Sequence, residues 1–351
     1  MTSRGRRVVQ RLDELGVAAF LVTTPLNVRY LVGFASSNAA LLVTGERLTL
    51  FTDGRYIEAA RRVNGLDVVL IERGLAADLG ERLAHHTDGP VAFEAARMTV
   101  ADHRRVEASG LELVPTEREI EGLRAVKDMA ELAAIRRSAT LLSEGFEQFA
   151  AADLVGQSEL AASRILDNTL AGLGADGLAF DTIVAAGPNA ALPHHHPTDR
   201  VIEPDELLLV DAGCIAGDYA SDCTRTFATG TLPARLEDAY VACLAVQTAA
   251  LTEVMAGAEG KALDDQHRDR LRAAGYEPLH SLGHGVGLDV HESPRLARTV
   301  DDVLDVGAVV TVEPGVYLPG VGGIRIEDLV VVTEDGPEIL TPVSKELRQM
   351  V

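Results

Sequence analysis

Several residue types that mark particular classes of protein are scarce in this sequence. Tryptophan is absent, aromatic residues make up 4% of the chain, and there are three cysteines. Cys214, Cys223 and Cys243 are odd in number and form neither a CxxC motif nor a regular framework, which argues against disulfides. We therefore predict that each cysteine is a thiol of the hydrophobic core.

Positive charge and long apolar runs are also scarce. The 53 acidic and 32 basic residues leave a net charge of -21, and no block of lysine or arginine offers a phosphate-binding stripe. No run approaches the ~18 apolar residues of a membrane span, and MTSRGRRVVQRLDELG leads into an amphipathic helix without an apolar leader core. We expect a cytoplasmic protein with neither nucleic acid nor membrane as a partner.

The length of the chain predicts two domains. Its 351 residues exceed the roughly 100 to 200 residues that one core usually organises. Residues 1–120 alternate helical and strand-like segments, which predicts a smaller α/β domain with strands at 18–22, 40–43, 48–51, 68–71 and 91–93. A polar stretch follows, and a second domain is expected over residues 121–351.

The second domain is predicted to be a sheet covered by helices. A helical apolar stripe begins at Leu132, and further helices are expected at 159–173, 233–255 and 261–274, with Pro233 as a first helical residue. Strands are expected at 207–210, 224–228, 309–312 and 324–332.

Two segments of this domain are similar to each other. LLLVDAG at 207–213 and VVTVEPG at 309–315 both read as an apolar strand, an acid, a spacer and a glycine. Each precedes a return strand that carries a second acid, Asp222 in the first case and Glu327 in the second. The similarity predicts a duplicated hairpin, although it is too diverged to identify a repeat by identity alone.

The acids of these hairpins need an explanation, because a carboxylate beside a buried apolar strand is costly without a partner. Taken singly, Asp211 or Glu313 could lie at a strand end facing water. Together with Asp222 and Glu327 they make four carboxylates. The nearest arginines in sequence, Arg225 and Arg325, could not offset four negative charges. The segment GHGVGLDVHE adds His284 and His291. Oxygen and imidazole ligands without thiolate favour Mn²⁺, Fe²⁺, Co²⁺ or Zn²⁺ over a structural cysteine zinc site.

The complete set of motifs is specific. VDAG, SDCTRTF, GHGVGLDVHE, TVEPGVYLPG and GIRIEDLVVVT resemble the Xaa-Pro aminopeptidase and prolidase family, which has the creatinase or pita-bread fold. NVRYLVGF and FTDGRYIEAA look like that family's N-terminal domain, so the resemblance covers nearly the whole chain. It implies an α/β protein whose pita-bread domain has duplicated strand-hairpin halves and flanking helices. Cys214 and Asp289 depart from the usual motif, and neither is an expected ligand.

The resemblance also implies a metal site with two divalent ions. Asp222 and Glu327 would bridge both ions, Asp211 would complete the ligands of one, and His284 with Glu313 would complete those of the other. Manganese is expected, with cobalt, zinc or iron as alternatives. A hydroxide bridging the metals would then attack the bond before proline in a dipeptide or short peptide.

Further site residues follow from the same resemblance. Glu313 is expected to manage the proton of the nucleophile, and His291 to stabilise the oxyanion and contact substrate. In LPHHHP, His194 is expected to face the substrate, and His195 and His196 to be bystanders. Arg325 is either an ion-pair partner or a group that binds the substrate or its carboxylate.

Other functions are open to this fold. A methionine aminopeptidase-like enzyme usually lacks so large an N-terminal domain, and a creatinase-like, metal-free hydrolase should have lost some of the expected ligands. A non-enzymatic binding protein of the same fold is a third alternative. The resemblance further implies a homodimer in which the N-terminal domain packs against the partner subunit and narrows the entrance to the site.

Overall fold

The computed structural model of the protein describes residues 2–349. It divides into two compact units, Met1–Arg124 and Ala125–Val351. Each unit contains its own sheets and its own clusters of buried apolar side chains. Among residues 2–349, none of the helices combines the length and apolar character of a membrane span.

The first unit is built around one mixed sheet with the strand order β4-β3-β2-β1-β5-β6. Its elements are α1 (Ser3–Leu15), β1 (Ala19–Val22), α2 (Pro25–Val32), β2 (Ala39–Thr44), β3 (Leu48–Thr52), α3 (Ile57–Ala60), β4 (Asp67–Leu70), α4 (Leu75–Leu83), β5 (Val91–Glu94), α5 (Val100–Glu107), β6 (Leu113–Thr116) and α6 (Glu119–Ala125). β1 pairs antiparallel with β2 and parallel with β5. The five strands expected from the sequence are confirmed to within one residue at either end.

The second unit has several small sheets with helices packed on them. Its helices are α7 (Met129–Ala150), α8 (Glu159–Leu173), α9 (Ala234–Leu251) and α10 (Gly260–Ala273), with a 3₁₀ helix at Gly187–Ala191. Its strands are β7 (Gly177–Leu178), β8 (Ile183–Ala186), β9 (Leu207–Ala212), β10 (Cys214–Ala216), β11 (Tyr219–Ala220), β12 (Cys223–Ala228), β13 (Gly283–Gly285), β14 (Glu292–Leu296), β15 (Val309–Val312), β16 (Gly315–Leu318), β17 (Gly322–Arg325), β18 (Asp328–Thr333) and β19 (Gly336–Ile339).

Local sequence explains where the helices of this unit begin. Asp128 caps α7 by accepting hydrogen bonds from the amides of Ala130 and Glu131, and the Glu131 side chain accepts from the amide of Asp128 in return. The predicted apolar stripe of α7 is buried, and Phe146 and Phe149 lie in the core with α8, β8, β9 and β12. α8 has the predicted bounds, and Ser158 caps it.

Two long antiparallel hairpins place the site. β9 pairs with β12, with Asp211 opposite Thr224, and β15 pairs with β18, with Val312 opposite Asp328. Each connection contains a smaller hairpin, β10 with β11 in the first and β16 with β17 in the second. The predicted duplication of the hairpin is confirmed.

The predicted strand at 324–332 is wrong as a single element. β17 pairs with β16 and ends at Arg325, whereas β18 pairs with β15 and begins at Asp328. Between them, the amide of Glu327 donates to the carbonyl of Thr224 in β12. Glu327 therefore precedes its strand instead of lying within it, and Asp222 likewise stands directly before β12. At both acids the chain passes from one sheet to another.

The boundaries of two other elements also differ from expectation. Helix α9 ends at Leu251 instead of residue 255, and Pro233 is the residue before its first turn. Helix α10 begins and ends one residue earlier than predicted.

The three cysteines are free and fully buried, and burial raises the pKa of each thiol.

Candidate metal centre

A cavity of about 410 Å³ lies where the two long hairpins meet. The residues predicted from the sequence as ligands, catalytic groups or substrate contacts all line it. They are His194, Asp211, Asp222, His284, His291, Glu313, Arg325 and Glu327. The structure therefore brings together, within its second unit, side chains that lie more than a hundred residues apart in the chain.

Three of these side chains form the centre of the cluster. Asp222, His284 and Glu327 each offer one ligand atom, and these atoms lie within 4.8 Å of one another. His284 Nε2 is 3.7 Å from Asp222 Oδ2. His284 Nδ1 lies 3.2 Å from the carbonyl oxygen of Gly285 and donates to it, which orients the ring so that Nε2 faces the carboxylates.

Glu313 is the second carboxylate beside His284. Its Oε1 lies 3.3 Å from His284 Nε2 and accepts a hydrogen bond from Thr311 Oγ1. Burial alone would raise the pKa of Glu313, but the hydrogen bond and charge of His284 outweigh burial and lower the pKa to about 2. Glu313 accordingly carries a negative charge inside the protein.

Two carboxylates of the cavity each leave one buried oxygen without a hydrogen bond. Asp211 Oδ2 accepts from Arg325 Nη2 at 2.6 Å, and Glu327 Oε2 accepts from Thr224 Oγ1 at 2.7 Å. Asp211 Oδ1 and Glu327 Oε1 have no hydrogen-bond partner among the described residues. A buried polar atom in this state costs free energy, and a bound cation would satisfy both atoms.

The charges of the cluster also favour a cation. Desolvation and the neighbouring carboxylates raise the pKa of Asp222 and of Glu327 well above the usual range. These raised pKa values reflect a negative potential, to which the charges of Asp211 and Glu313 contribute and which a bound cation would offset. Carboxylate oxygens with one imidazole nitrogen are a ligand set for divalent transition ions, so these residues fit a metal centre.

Glycines allow the strand that carries His284 to lie between its neighbours. A Cβ at Gly283 would collide with the carbonyl oxygen of Thr311, and a Cβ at Gly285 would collide with that of Ser293. These carbonyls belong to β15 and β14, which flank β13. The two glycines therefore bring His284 close to the acid-bearing hairpin, as the glycine-rich GHGVG segment suggested.

Three consecutive histidines follow the 3₁₀ helix and differ in environment. His194 and His196 are exposed at the cavity wall, whereas His195 is 8% exposed. His195 Nε2 donates to Glu159 Oε2 at 2.9 Å. His194 thus has the accessibility that a substrate contact requires, and His195 belongs to a buried hydrogen-bond network.

His291 and Arg325 occupy opposite kinds of environment. His291 is exposed, and its ring centroid lies 4.2 Å from that of His284. Desolvation by the cavity wall and the charge of His284 lower the pKa of His291. Arg325 is 4% exposed, and its donors engage Asp211, Tyr317 Oη and Thr224 Oγ1.

Four residues of the site were missed by the sequence analysis. Tyr317 and Thr224 bind Arg325, His280 Nε2 accepts from Tyr317 Oη at 2.9 Å, and Arg295 lines the cavity. Each lies in or beside a motif that was singled out, four residues or fewer from an expected ligand or catalytic residue. Spacing was therefore the available signal, although it does not reveal which hydroxyl faces which charge.

Comparisons with known proteins identify the family of this chain. Residues 133–334 match metallopeptidase family M24, and residues 4–126 match the creatinase/prolidase N-terminal domain. The chain belongs to metallopeptidase family M24. Members of this family act on peptides and depend on divalent metal ions.

Individual relatives span almost the whole chain. The peptidase YqhT of Bacillus subtilis (strain 168) is 35% identical over 339 residues, which cover 95% of this chain and 96% of the relative. The solved Xaa-Pro dipeptidase from Bacillus anthracis is 32% identical with a TM-score of 0.94, covering 99% of both chains. The X-Pro aminopeptidase from Thermotoga maritima MSB8 is 32% identical with a TM-score of 0.90, covering 98% of this chain and 99% of that one.

Proposed function

We propose that this protein is a metal-dependent peptidase that hydrolyses the bond between an N-terminal residue and a following proline. The observation that carries the proposal is the pair of buried, unpartnered oxygens, Asp211 Oδ1 and Glu327 Oε1, in the cavity that also holds the Asp222–His284–Glu327 cluster. The printed names of relatives, an Xaa-Pro dipeptidase and an X-Pro aminopeptidase, support the choice of substrate bond.

We assign the site two divalent ions. Asp222 and Glu327 would contact both, Asp211 would serve one, and His284 with Glu313 would serve the other. The oxygen-rich, thiolate-free donor set suits manganese, and cobalt, zinc or iron would also be accepted. Such a pair of ions supplies a nucleophilic oxygen at neutral pH and polarises the carbonyl of the scissile bond.

The protein's own groups then handle the proton and the developing charge. Glu313 takes the proton of the attacking water and returns it to the proline nitrogen, which is a poor leaving group until it is protonated. His291 stands exposed beside His284 and donates a hydrogen bond to the oxyanion. His194, which is exposed on the cavity wall, contacts the substrate.

The structure offers a reason to favour Arg295 over Arg325 as the group that receives a substrate carboxylate. Arg325 is buried and its donors are occupied by Asp211, Tyr317 and Thr224. Arg295 lines the same cavity, is exposed, and forms no ion pair with any residue between 2 and 349. An unpaired guanidinium on the wall of a peptide site favours a dipeptide, whose terminal carboxylate lies close to the scissile bond.

Assembly and location complete the proposal. We propose a homodimer in which the first unit packs against the partner subunit, because that unit brings no catalytic set of its own. Sedimentation analysis of the full chain tests this point, and a monomer at micromolar concentration would contradict it.

We also place the protein in the cytoplasm, where free thiols such as Cys214, Cys223 and Cys243 are usual.

One experiment tests the proposed function and its preference for length. The protein is freed of metal, loaded with Mn²⁺, Co²⁺ or Zn²⁺, and assayed on a Xaa-Pro dipeptide and on the matching Xaa-Pro-Xaa tripeptide. We expect metal-dependent cleavage with a higher kcat/KM for the dipeptide. A higher value for the tripeptide would contradict the preference for dipeptides, and no cleavage of either peptide would contradict the function.

A further inference from the structure

A buried carboxylate lies behind the histidine loop that forms one wall of the cavity. Glu159 is the first residue of α8, and its side chain is fully buried. Its Oε1 accepts hydrogen bonds from the amide of Ala186 at 2.8 Å and from Asn189 Nδ2 at 2.9 Å. Its Oε2 accepts from His195 Nε2 at 2.9 Å and from both the amide and the hydroxyl of Thr198, at 3.0 and 2.7 Å.

These donors come from consecutive pieces of one segment. Ala186 ends β8, Asn189 lies in the 3₁₀ helix, and His195 and Thr198 belong to the loop that follows. Burial alone would raise the pKa of Glu159, but the hydrogen bonds from Ala186, His195, Thr198 and Asn189 outweigh it and lower the pKa. A single ionised carboxylate therefore accepts hydrogen bonds from four residues spread along the segment 186–198.

His194 lies inside this segment, which is hydrogen-bonded to Glu159. It is exposed at the cavity while its neighbour His195 is turned inward to Glu159, so the inward ring anchors the chain directly beside the outward one. Pro193 and His194 form a turn that is closed by the amide of His195, which donates to the carbonyl of Leu192 at 3.2 Å. Fixing His195 in the interior thus fixes the turn from which the side chain of His194 reaches the cavity.

We propose that Glu159 and His195 are positioning residues that hold His194 in its substrate-facing orientation. The proposal deepens the proposed function and rests on the role of His194 in it. The sequence alone predicts a bystander role for His195, and Glu159 lies far from every motif. Neither residue touches the reacting atoms, so each acts through His194.

A double-mutant cycle separates positioning from general stability. Glu159→Gln keeps the size of the side chain and turns one acceptor oxygen into a donor facing donors. We expect kcat/KM on a Xaa-Pro dipeptide to fall ~10–100-fold, since small displacements of a substrate contact are costly. The same change in a His194→Ala background should lower kcat/KM by less than ~2-fold, because the group it positions is already absent. An equal loss in both backgrounds would overturn the proposal.

Two further sets of variants test the same proposal. His195→Leu should lose activity, whereas His195→Gln, whose amide nitrogen can replace Nε2 as a donor, should retain most of it. Glu206→Gln is the matched control, because Glu206 is a partly buried carboxylate of the same region that binds Arg200 and the amide of Glu203. It should leave kcat/KM unchanged. Equal effects of His195→Leu and His195→Gln would overturn the role of the imidazole.

Hydrogen–deuterium exchange keeps the test independent of catalysis. In Glu159→Gln and His195→Leu, amide exchange should rise in residues 186–198, while bound metal stays at the wild-type amount. Unchanged exchange in that segment would overturn the proposal even in a protein without Xaa-Pro activity. Absence of that activity in the wild type would contradict the proposed function instead, so the two failures are distinguishable.

Discussion

The guanidinium of Arg325 binds one oxygen of Asp211 and leaves the other without a hydrogen bond. Nη2 donates to Oδ2 at 2.6 Å, and Oδ1 is buried with no hydrogen-bond partner in the described part of the chain. Tyr317 and Thr224 hold the guanidinium in turn. The ion pair therefore orients Asp211 so that its remaining oxygen is the atom available to a cation.

This relationship predicts how Arg325→Met will behave. The variant should bind Mn²⁺ ~10–100-fold more weakly, because a residue that orients a ligand is lost. Titration of the metal-free protein followed by calorimetry measures the change. Arg295→Gln is the control and should bind Mn²⁺ like the wild type. Unchanged metal affinity in Arg325→Met together with a raised KM would instead assign Arg325 to substrate binding, the alternative that the sequence left open.

Substitutions of Glu327 and His291 should have different effects on bound metal and on turnover. Glu327→Ala should abolish activity and lower metal content, because Glu327 is assigned to both ions. His291→Ala should keep its metal and lose turnover, because His291 is assigned to the oxyanion. Elemental analysis and the peptidase assay on the same samples give both readings. Loss of metal from His291→Ala to the extent seen in Glu327→Ala would make His291 a ligand.

The sequence predicts more of this protein than is usual because its acids interrupt apolar strands. An unpaired carboxylate after LLLV or VVTV is so costly that the pattern indicates both the buried strand and the site. The strand break before Asp328 was not predictable, since it depends on which sheet each half joins. The contacts of Arg325 with Thr224 and Tyr317 depend on side-chain directions across hairpins. The role of Glu159 is not predictable from the sequence, because an acid at the start of a helix normally faces water.

A second ion pair provides a prediction about stability. Arg225 and Asp328 are buried and lie 2.6 Å apart, whereas the pair of Arg136 and Glu338, 2.7 Å apart, is exposed. Arg225→Met should lower the free energy of unfolding by ~3–5 kcal/mol, because Asp328 loses its buried cation and keeps only the partly exposed Lys345. The buried carbonyl of Val343 also loses a donor. Arg136→Met should change it by no more than ~1 kcal/mol. Urea denaturation followed by circular dichroism measures both, and equal effects would contradict the account.

The position of Arg295 predicts why the protein prefers dipeptides to longer peptides. Arg295→Gln should raise KM for a Xaa-Pro dipeptide ~10-fold or more, because a charge-assisted hydrogen bond to the terminal carboxylate is lost. KM for a tripeptide amide, which has no carboxylate, should change little. Steady-state assays on both substrates decide the matter. A similar rise for both would show that Arg295 acts on the shape or charge of the cavity and not on the carboxylate.

The most direct measurement of the central claim compares two dipeptides that differ only after the scissile bond. Met-Pro and Met-Ala are offered to the manganese-loaded protein, and each assay is repeated after removal of the metal with a chelator. The account predicts rapid hydrolysis of Met-Pro, much slower hydrolysis of Met-Ala, and loss of both activities without metal, restored when Mn²⁺ is returned. Cleavage of Met-Pro that survives complete removal of metal, or equal rates on the two dipeptides, would contradict it.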